Sequence, residues 1–333
     1  MNKERLSINE MLLEADRLEN SGRTRNALDY FSVILSQEET PYLWFRYGLL
    51  AMELKEWEKA RQAFLSGVSL APELPLGYTY LGMLYREQGD SNRAIEYYER
   101  GLEIKEDATT YTLLGAARCD LGMIEAAQSS FCKAINLDPN DEEAYYNLGV
   151  THRYKHPEKA ISLFEKSLKL DPQYALAHSE LGWLFKRLGR LPEAENHLRK
   201  AIKLDDSDGW SYIYLGNLLW TQKKISAAEQ MFIKAIEVYP EDSFPYWCLA
   251  IFYEYNERPQ EADFFYEKAV QLDPDDASAN FRFGLFLKEL GVNPKAKEHL
   301  KRALALDPKN FEAEIVLAEL EEIDEIESKP KVN

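Results

Sequence analysis

The chain has 333 residues, of which 45% are hydrophobic and 12% aromatic, ample for a packed core and contrary to the composition of a disordered chain. A net charge of −17 disfavours general nucleic-acid binding, which needs clustered Lys and Arg against phosphates, and disfavours docking on anionic membranes. Cys119, Cys132 and Cys248 form no paired pattern and predict small buried thiols in a reducing compartment; with no apolar leader in the opening Met-Asn-Lys-Glu-Arg-Leu-Ser and no stretch of membrane-spanning length, the expectation is a soluble, cytoplasmic protein.

Length alone would suggest two ordinary domains, but a repeat overrides that prior. A small residue recurs at Gly48, Gly82, Gly115, Gly149, Gly182, Gly216, Ala250 and Gly284, in steps of 33 or 34 residues. A second follows each at nearly fixed offset: Ala60, Ala94, Ala127, Ala160, Ala194, Ala228, Ala262 and Ala296. Such a period means stacked units, each unable to bury its apolar face alone. Within the unit that starts at Ala108, Tyr111, Leu114, Gly115 and Arg118 sit at helical spacing and Gly122 stops the first helix. Ala127, Phe131 and Ala134 share one face of a second helix, which Asp138-Pro139 ends because proline removes a donor and restricts the residue before it. Asp-Pro recurs at Asp171-Pro172, Asp273-Pro274 and Asp307-Pro308, while Pro157, Pro192, Pro259 and Pro294 open second helices, where a missing N–H costs nothing.

This helix–turn–helix–turn pattern resembles the tetratricopeptide repeat. Trp44, Tyr47, Gly48, Ala60, Phe64 and Pro72 match that family's pattern, as do Tyr145, Leu148, Gly149, Ala160, Phe164 and Pro172. Nine units are counted over residues 8–310, starting near 8, 41, 75, 108, 142, 175, 209, 243 and 277. The resemblance implies an all-α fold, a right-handed superhelical α-solenoid of antiparallel helix pairs with a concave groove. The first unit lacks the Leu-Gly pair, the third has Glu106-Asp107 in place of its closing proline, and the fifth is one residue short around Tyr154-Lys155-His156-Pro157. Residues 311–327 begin a further unit without finishing it; eight carboxylates between Glu312 and Glu327 predict an acidic capping helix, followed by a disordered tail at 328–333.

Signals for catalysis are nearly absent: there is no Gly-rich phosphate loop and no nucleophile elbow. His152 and His156 have metal-ligand spacing, but His152 occupies a packing position and His156 a turn, so no metal and no cofactor are expected. The informative feature is a line along each first helix, stepping by three, four and three residues beside the small-residue face. It reads Leu176, Ser179, Trp183, Lys186; then Trp210, Ile213, Asn217, Trp220; then Phe244, Trp247, Ile251, Glu254 with Tyr255 adjacent; then Ser278, Phe281, Leu285, Lys288. One reading packs these residues between adjacent first helices. The other makes them an aromatic surface for a protein segment, since large aromatics dominate interface energetics.

Arg153, Lys186 and Arg187 are basic in a strongly acidic chain and are expected beside this aromatic zone, where they would hold a carboxylate. The Lys/Asn clamp with which some tetratricopeptide proteins hold chaperone C-termini is missing, as is the Asn ladder seen in a sugar-transferring enzyme's repeats. Near the start, Tyr42, Phe45, Leu49 and Met52 are expected to pack under the first unit, a homodimer contact being the alternative use. The sequence therefore predicts a non-enzymatic scaffold or adaptor that binds a peptide segment or helix of a partner protein, with no nucleic acid and no membrane involved. The competing function is a sensing module that binds a small molecule or signalling peptide and controls a separate enzyme.

Overall fold

The computed structural model describes residues 7–328, and side-chain surroundings over 7–322. The chain is 79% helical, with nineteen helices and no strand among the described residues. Contacts divide it into two compact units, Met1–Pro172 and Gln173–Asn333. The first holds α1 (Ile8–Asn20), α2 (Thr24–Leu35), α3 (Pro41–Glu53), α4 (Trp57–Leu70), α5 (Pro75–Glu87), α6 (Ser91–Ile104), α7 (Ala108–Asp120), α8 (Ile124–Leu137), α9 (Glu142–His152) and α10 (Pro157–Leu170). The second holds α11 (Ala175–Arg187), α12 (Leu191–Leu204), α13 (Gly209–Thr221), α14 (Ile225–Val238), α15 (Ser243–Tyr255), α16 (Pro259–Leu272), α17 (Ala277–Glu289), α18 (Asn293–Leu306) and α19 (Phe311–Ser328). In each unit every odd-numbered helix up to α17 pairs with its successor, and pairs stack in chain order. Both units are thus all-α solenoids.

The pairs close because a small residue on the first helix faces a large one on the second. A Cβ on Gly48 would lie 2.3 Å from the Phe64 ring, and one on Gly182 would lie 2.4 Å from Leu198. Phe64 and Leu198 are themselves fully buried, so the backbones approach until the side chain of the second helix fills the notch left by the glycine. At Gly216 the same Cβ would stand 3.1 Å from Phe232, a looser fit. Leucine at Gly216 therefore overpacks the crossing less severely than it would at Gly48.

Aspartates cap many first helices: Asp141 Oδ1 accepts from the Ala144 N–H at 2.8 Å, and Asp276 Oδ1 accepts from the Ser278 and Ala279 N–H groups at 2.8 and 3.0 Å. Between the helices of a pair, one turn residue adopts the left-handed conformation. It is Gly22, Gly89, Gly122, Gly189 or Gly291 in five pairs, but Lys55, Lys223 or Glu257 in three, with φ between 56° and 60°. The pair α9/α10, one residue short, has no positive-φ residue in its turn, and α9 is only 11 residues long. A side chain in the left-handed region costs roughly 1–2 kcal/mol, part of which glycine returns through its freer unfolded chain. Lys223→Gly is therefore expected to stabilise the second unit by roughly 0.5–1 kcal/mol, read as a higher urea midpoint at unchanged slope.

Neighbouring first helices meet according to side-chain size. Thr79 and Thr110 share a buried hydroxyl hydrogen bond of 3.1 Å between α5 and α7, and Ser211 donates to Ser179 at 2.9 Å between α13 and α11. Where aromatics replace these small residues, rings fill the space between helices instead.

Three expectations are corrected in part. Of the cysteines, Cys248 is buried and Cys119 half-buried, but Cys132 is exposed, because it lies off the face of α8 that buries Ala127, Phe131 and Ala134. In the N-terminal patch Phe45 is buried and Leu49 and Met52 pack against the same core, whereas Tyr42 stays 61% exposed under the Arg46 guanidinium. The C-terminal helix includes Ser328, which the sequence assigns to a disordered tail, and residues 329–333 lie outside the described residues.

Candidate functional site

The second unit carries a chain of aromatic contacts along its first helices. The Trp183 ring on α11 lies 6.4 Å from Tyr214 on α13, which lies 6.0 Å from Trp210 one turn earlier. Trp210 reaches Phe244 of α15 at 4.9 Å, and Phe244 stacks on Trp247 at 5.6 Å. Further along α13, Trp220 meets Phe252 at 5.5 Å and Tyr255 at 5.7 Å, both edge to face. Offset and edge-to-face pairs of this kind hold rings in fixed orientations.

Burial divides the predicted residues. Trp210 is 41% and Tyr255 65% exposed, while Trp183, Asn217, Trp220, Phe244, Trp247, Ile251, Phe281 and Lys186 are half-buried and Arg187 is exposed. Ile213 is a correction: at 2% exposure it offers nothing to a partner. It occupies the same register as Ser179, also buried, and that register points at the neighbouring first helix. The rings therefore pack on their neighbours along one edge and leave another uncovered.

The basic residues belong to two units. Arg153 ends α9 in the first unit, with its guanidinium 4.9 Å from the Tyr154 ring. Lys186 and Arg187 lie in the last turn of α11 in the second unit, and Arg187 sits over the Trp183 ring at 4.7 Å. Other charges on the line are neutralised within the unit. Glu254 pairs with Arg282 and accepts the Tyr266 hydroxyl, and Lys288 pairs with Glu319 at 2.6 Å.

Sequence reasoning missed Tyr214, although its spacing of four from Trp210 is the signal that would have found it. It also missed a cleft of about 720 Å³ between the start of α13, the turn from α14 to α15, and the end of α16. Trp210 and Tyr239 line it with Glu241 and Asp242 from one turn and Asp273 from another. Burial first, and then the carboxylates Asp208, Asp205 and Asp242, push the Tyr239 phenol above its ordinary value against a backbone hydrogen bond at Gly209 that lowers it, and Glu241, Asp242 and Asp273 make the rim acidic.

His152 is buried and its ring lies 5.8 Å from that of His156. Among the described residues no group of three or more His, Cys, Asp or Glu side chains could hold a metal ion, and no helix is long and apolar enough to cross a membrane.

Models of the tetratricopeptide repeat match residues 12–75, 75–107, 115–153 and 277–310, and a model described as the middle TPR-like domain of cilia and flagella-associated protein 70 matches residues 152–273. The chain is a tetratricopeptide-repeat protein. As such it is similar to anaphase-promoting complex subunit 3 of Schizosaccharomyces pombe, at 28% identity over 53% of this chain and 27% of that protein. It is also similar to the cell division cycle protein 27 homolog of Caenorhabditis elegans, at 31% identity over 30% of this chain and 13% of that protein. The tetratricopeptide array thus spans well under a third of the length of either relative. Among solved structures, the Cut9–Hcn1 hetero-tetramer of the anaphase-promoting complex superposes with a TM-score of 0.64 at 19% identity, covering 89% of this chain and 59% of that one. At that identity the likeness concerns the tetratricopeptide fold.

Proposed function

We propose that this tetratricopeptide protein is a non-enzymatic scaffold whose second unit binds an extended segment or helix of a partner protein along the first-helix line. The supporting observation is two groups of partly exposed rings whose contacts fix their orientation, Trp183, Tyr214, Trp210, Phe244 and Trp247 in one and Trp220 with Tyr255 in the other. Rings ordered before binding lose little conformational freedom on contact, which favours affinity. A flat ladder of this kind suits a peptide laid across several helices better than a small molecule, and the neighbouring cleft is open to solvent. Phe281, Ile251 and Asn217 would extend the surface at its edges, with Ile213 as support beneath. The relative named as a subunit of the anaphase-promoting complex is consistent with an interaction role.

Trp220→Ala combined with Trp247→Ala is the test. Each ring, if a hot spot, carries roughly 2 kcal/mol or more of binding. The double variant is expected to lose the partners that the native chain retains from its host's extract, read by quantitative mass spectrometry, while circular dichroism stays helical. An identical partner set from native and variant chains would remove this surface from consideration.

A further inference from the structure

The inference rests on the proposed groove and names the charge of what enters it. Equivalent positions at the last turns of α11, α13, α15 and α17 hold Lys186, Trp220, Glu254 and Lys288. Glu254 is neutralised by Arg282 and the Tyr266 hydroxyl, and Lys288 by Glu319. Lys186 is different: it is half-buried, and among the described residues its ammonium has no ion pair and no hydrogen-bond partner. Burial is the influence that acts on it, pulling it below the ordinary lysine value. A partly desolvated cation without an anion is an uncompensated cost that surface side chains rarely bear. At the opposite end of the line, the cleft beside Trp210 is rimmed by Glu241, Asp242 and Asp273. An acidic ligand is repelled there and drawn toward the Lys186 end, so the two ends also set a direction.

We propose that the groove of the second unit selects a peptide bearing an acidic side chain that pairs with Lys186 while an adjacent apolar side chain packs on Trp220. A charge-assisted pair in this half-desolvated setting supplies register and specificity that the aromatic ladder alone lacks.

The experiment pans a phage-displayed library of random dodecapeptides against the full chain, against Lys186→Glu and against the Trp220→Ala, Trp247→Ala double variant. The expected result is enrichment on the native chain of peptides with a carboxylate next to an aliphatic or aromatic residue, replaced on Lys186→Glu by peptides with Lys or Arg at that place. Lys186→Met, which keeps the packed stem, is expected to weaken a selected peptide about tenfold with an unchanged thermal melt. Peptides that are lost on the tryptophan variant but carry no carboxylate, or that bind Lys186→Glu equally well, overturn the charge inference and leave the groove standing. Failure of any peptide to enrich, or enrichment indifferent to both variants, overturns the two together.

Discussion

Replacing Phe64 by alanine is expected to destabilise the first unit by about 3–5 kcal/mol. The ring is fully buried, and it fills the notch at Gly48 while stacking on Tyr80 of the next pair at 5.5 Å. Truncation therefore empties a site held by three helices, α3, α4 and α5. The complementary change, Gly48→Ala, adds one methyl that would stand 2.3 Å from the ring and is expected to cost about 1–3 kcal/mol through overpacking. The two substitutions are partly compensatory in volume, so their double variant should be more stable than the sum of the single effects predicts. Chemical denaturation of the four proteins completes the cycle; strict additivity would mean that ring and glycine do not occupy one packing site.

The second large effect is acid lability. His178 and His197 approach Nδ1 to Nδ1 at 2.8 Å between α11 and α12, a hydrogen bond that requires one of the two rings to accept and so to be neutral at that nitrogen. Burial depresses the His197 value below the ordinary 6.5, with Lys200 and Arg190 adding to the depression and Glu193 opposing it. His299 in α18 is depressed in the same way, by burial first. A lowered folded value means that the unfolded chain binds more protons than the folded unit once pH falls below 6.5. Stability is thus fully present above that pH and is lost as pH falls through and below it. Thermal melts of the whole chain from pH 8 to pH 5 should show a fall in midpoint that His197→Gln reduces, because glutamine keeps donor and acceptor groups but takes up no proton. A midpoint that falls identically in the native chain and the variant would assign the lability to other groups.

Much of the fold was legible because its main device is local and repeated. Gly115 with Phe131, and Gly149 with Phe164, announce a close crossing through spacing alone, and each spacing is reinforced by its copies. The second-helix prolines and the Asp-Pro steps mark ends for reasons that operate within a few residues. The division after Pro172 was not legible, because it depends on how many contacts cross one turn. The candidate site was legible at the level of a face and not of a residue. Helical spacing puts Ile213 and Trp220 on one line, but exposure depends on the residue opposite, and for Ile213 that side of the helix is closed by its neighbour. The acidic cleft beside Trp210 was invisible for a related reason: Asp273 reads only as part of an Asp-Pro step that ends a helix, Asp242 caps the next first helix, and only the stacking of turns brings them to one rim.

The pairing of each signature glycine with a large side chain from its own helix pair has a consequence for how such a chain can change length. Gly48 is filled by Phe64, Gly115 by Phe131 and Gly216 by Phe232, never by a side chain from elsewhere. An excision or duplication that spans one whole pair leaves every lock with its key, whereas one that spans half a pair strands a key on one side and a hole on the other. Growth and shrinkage are in this sense quantised, and the single-residue shortening at α9 is tolerated because it falls in the connecting turn, outside any lock.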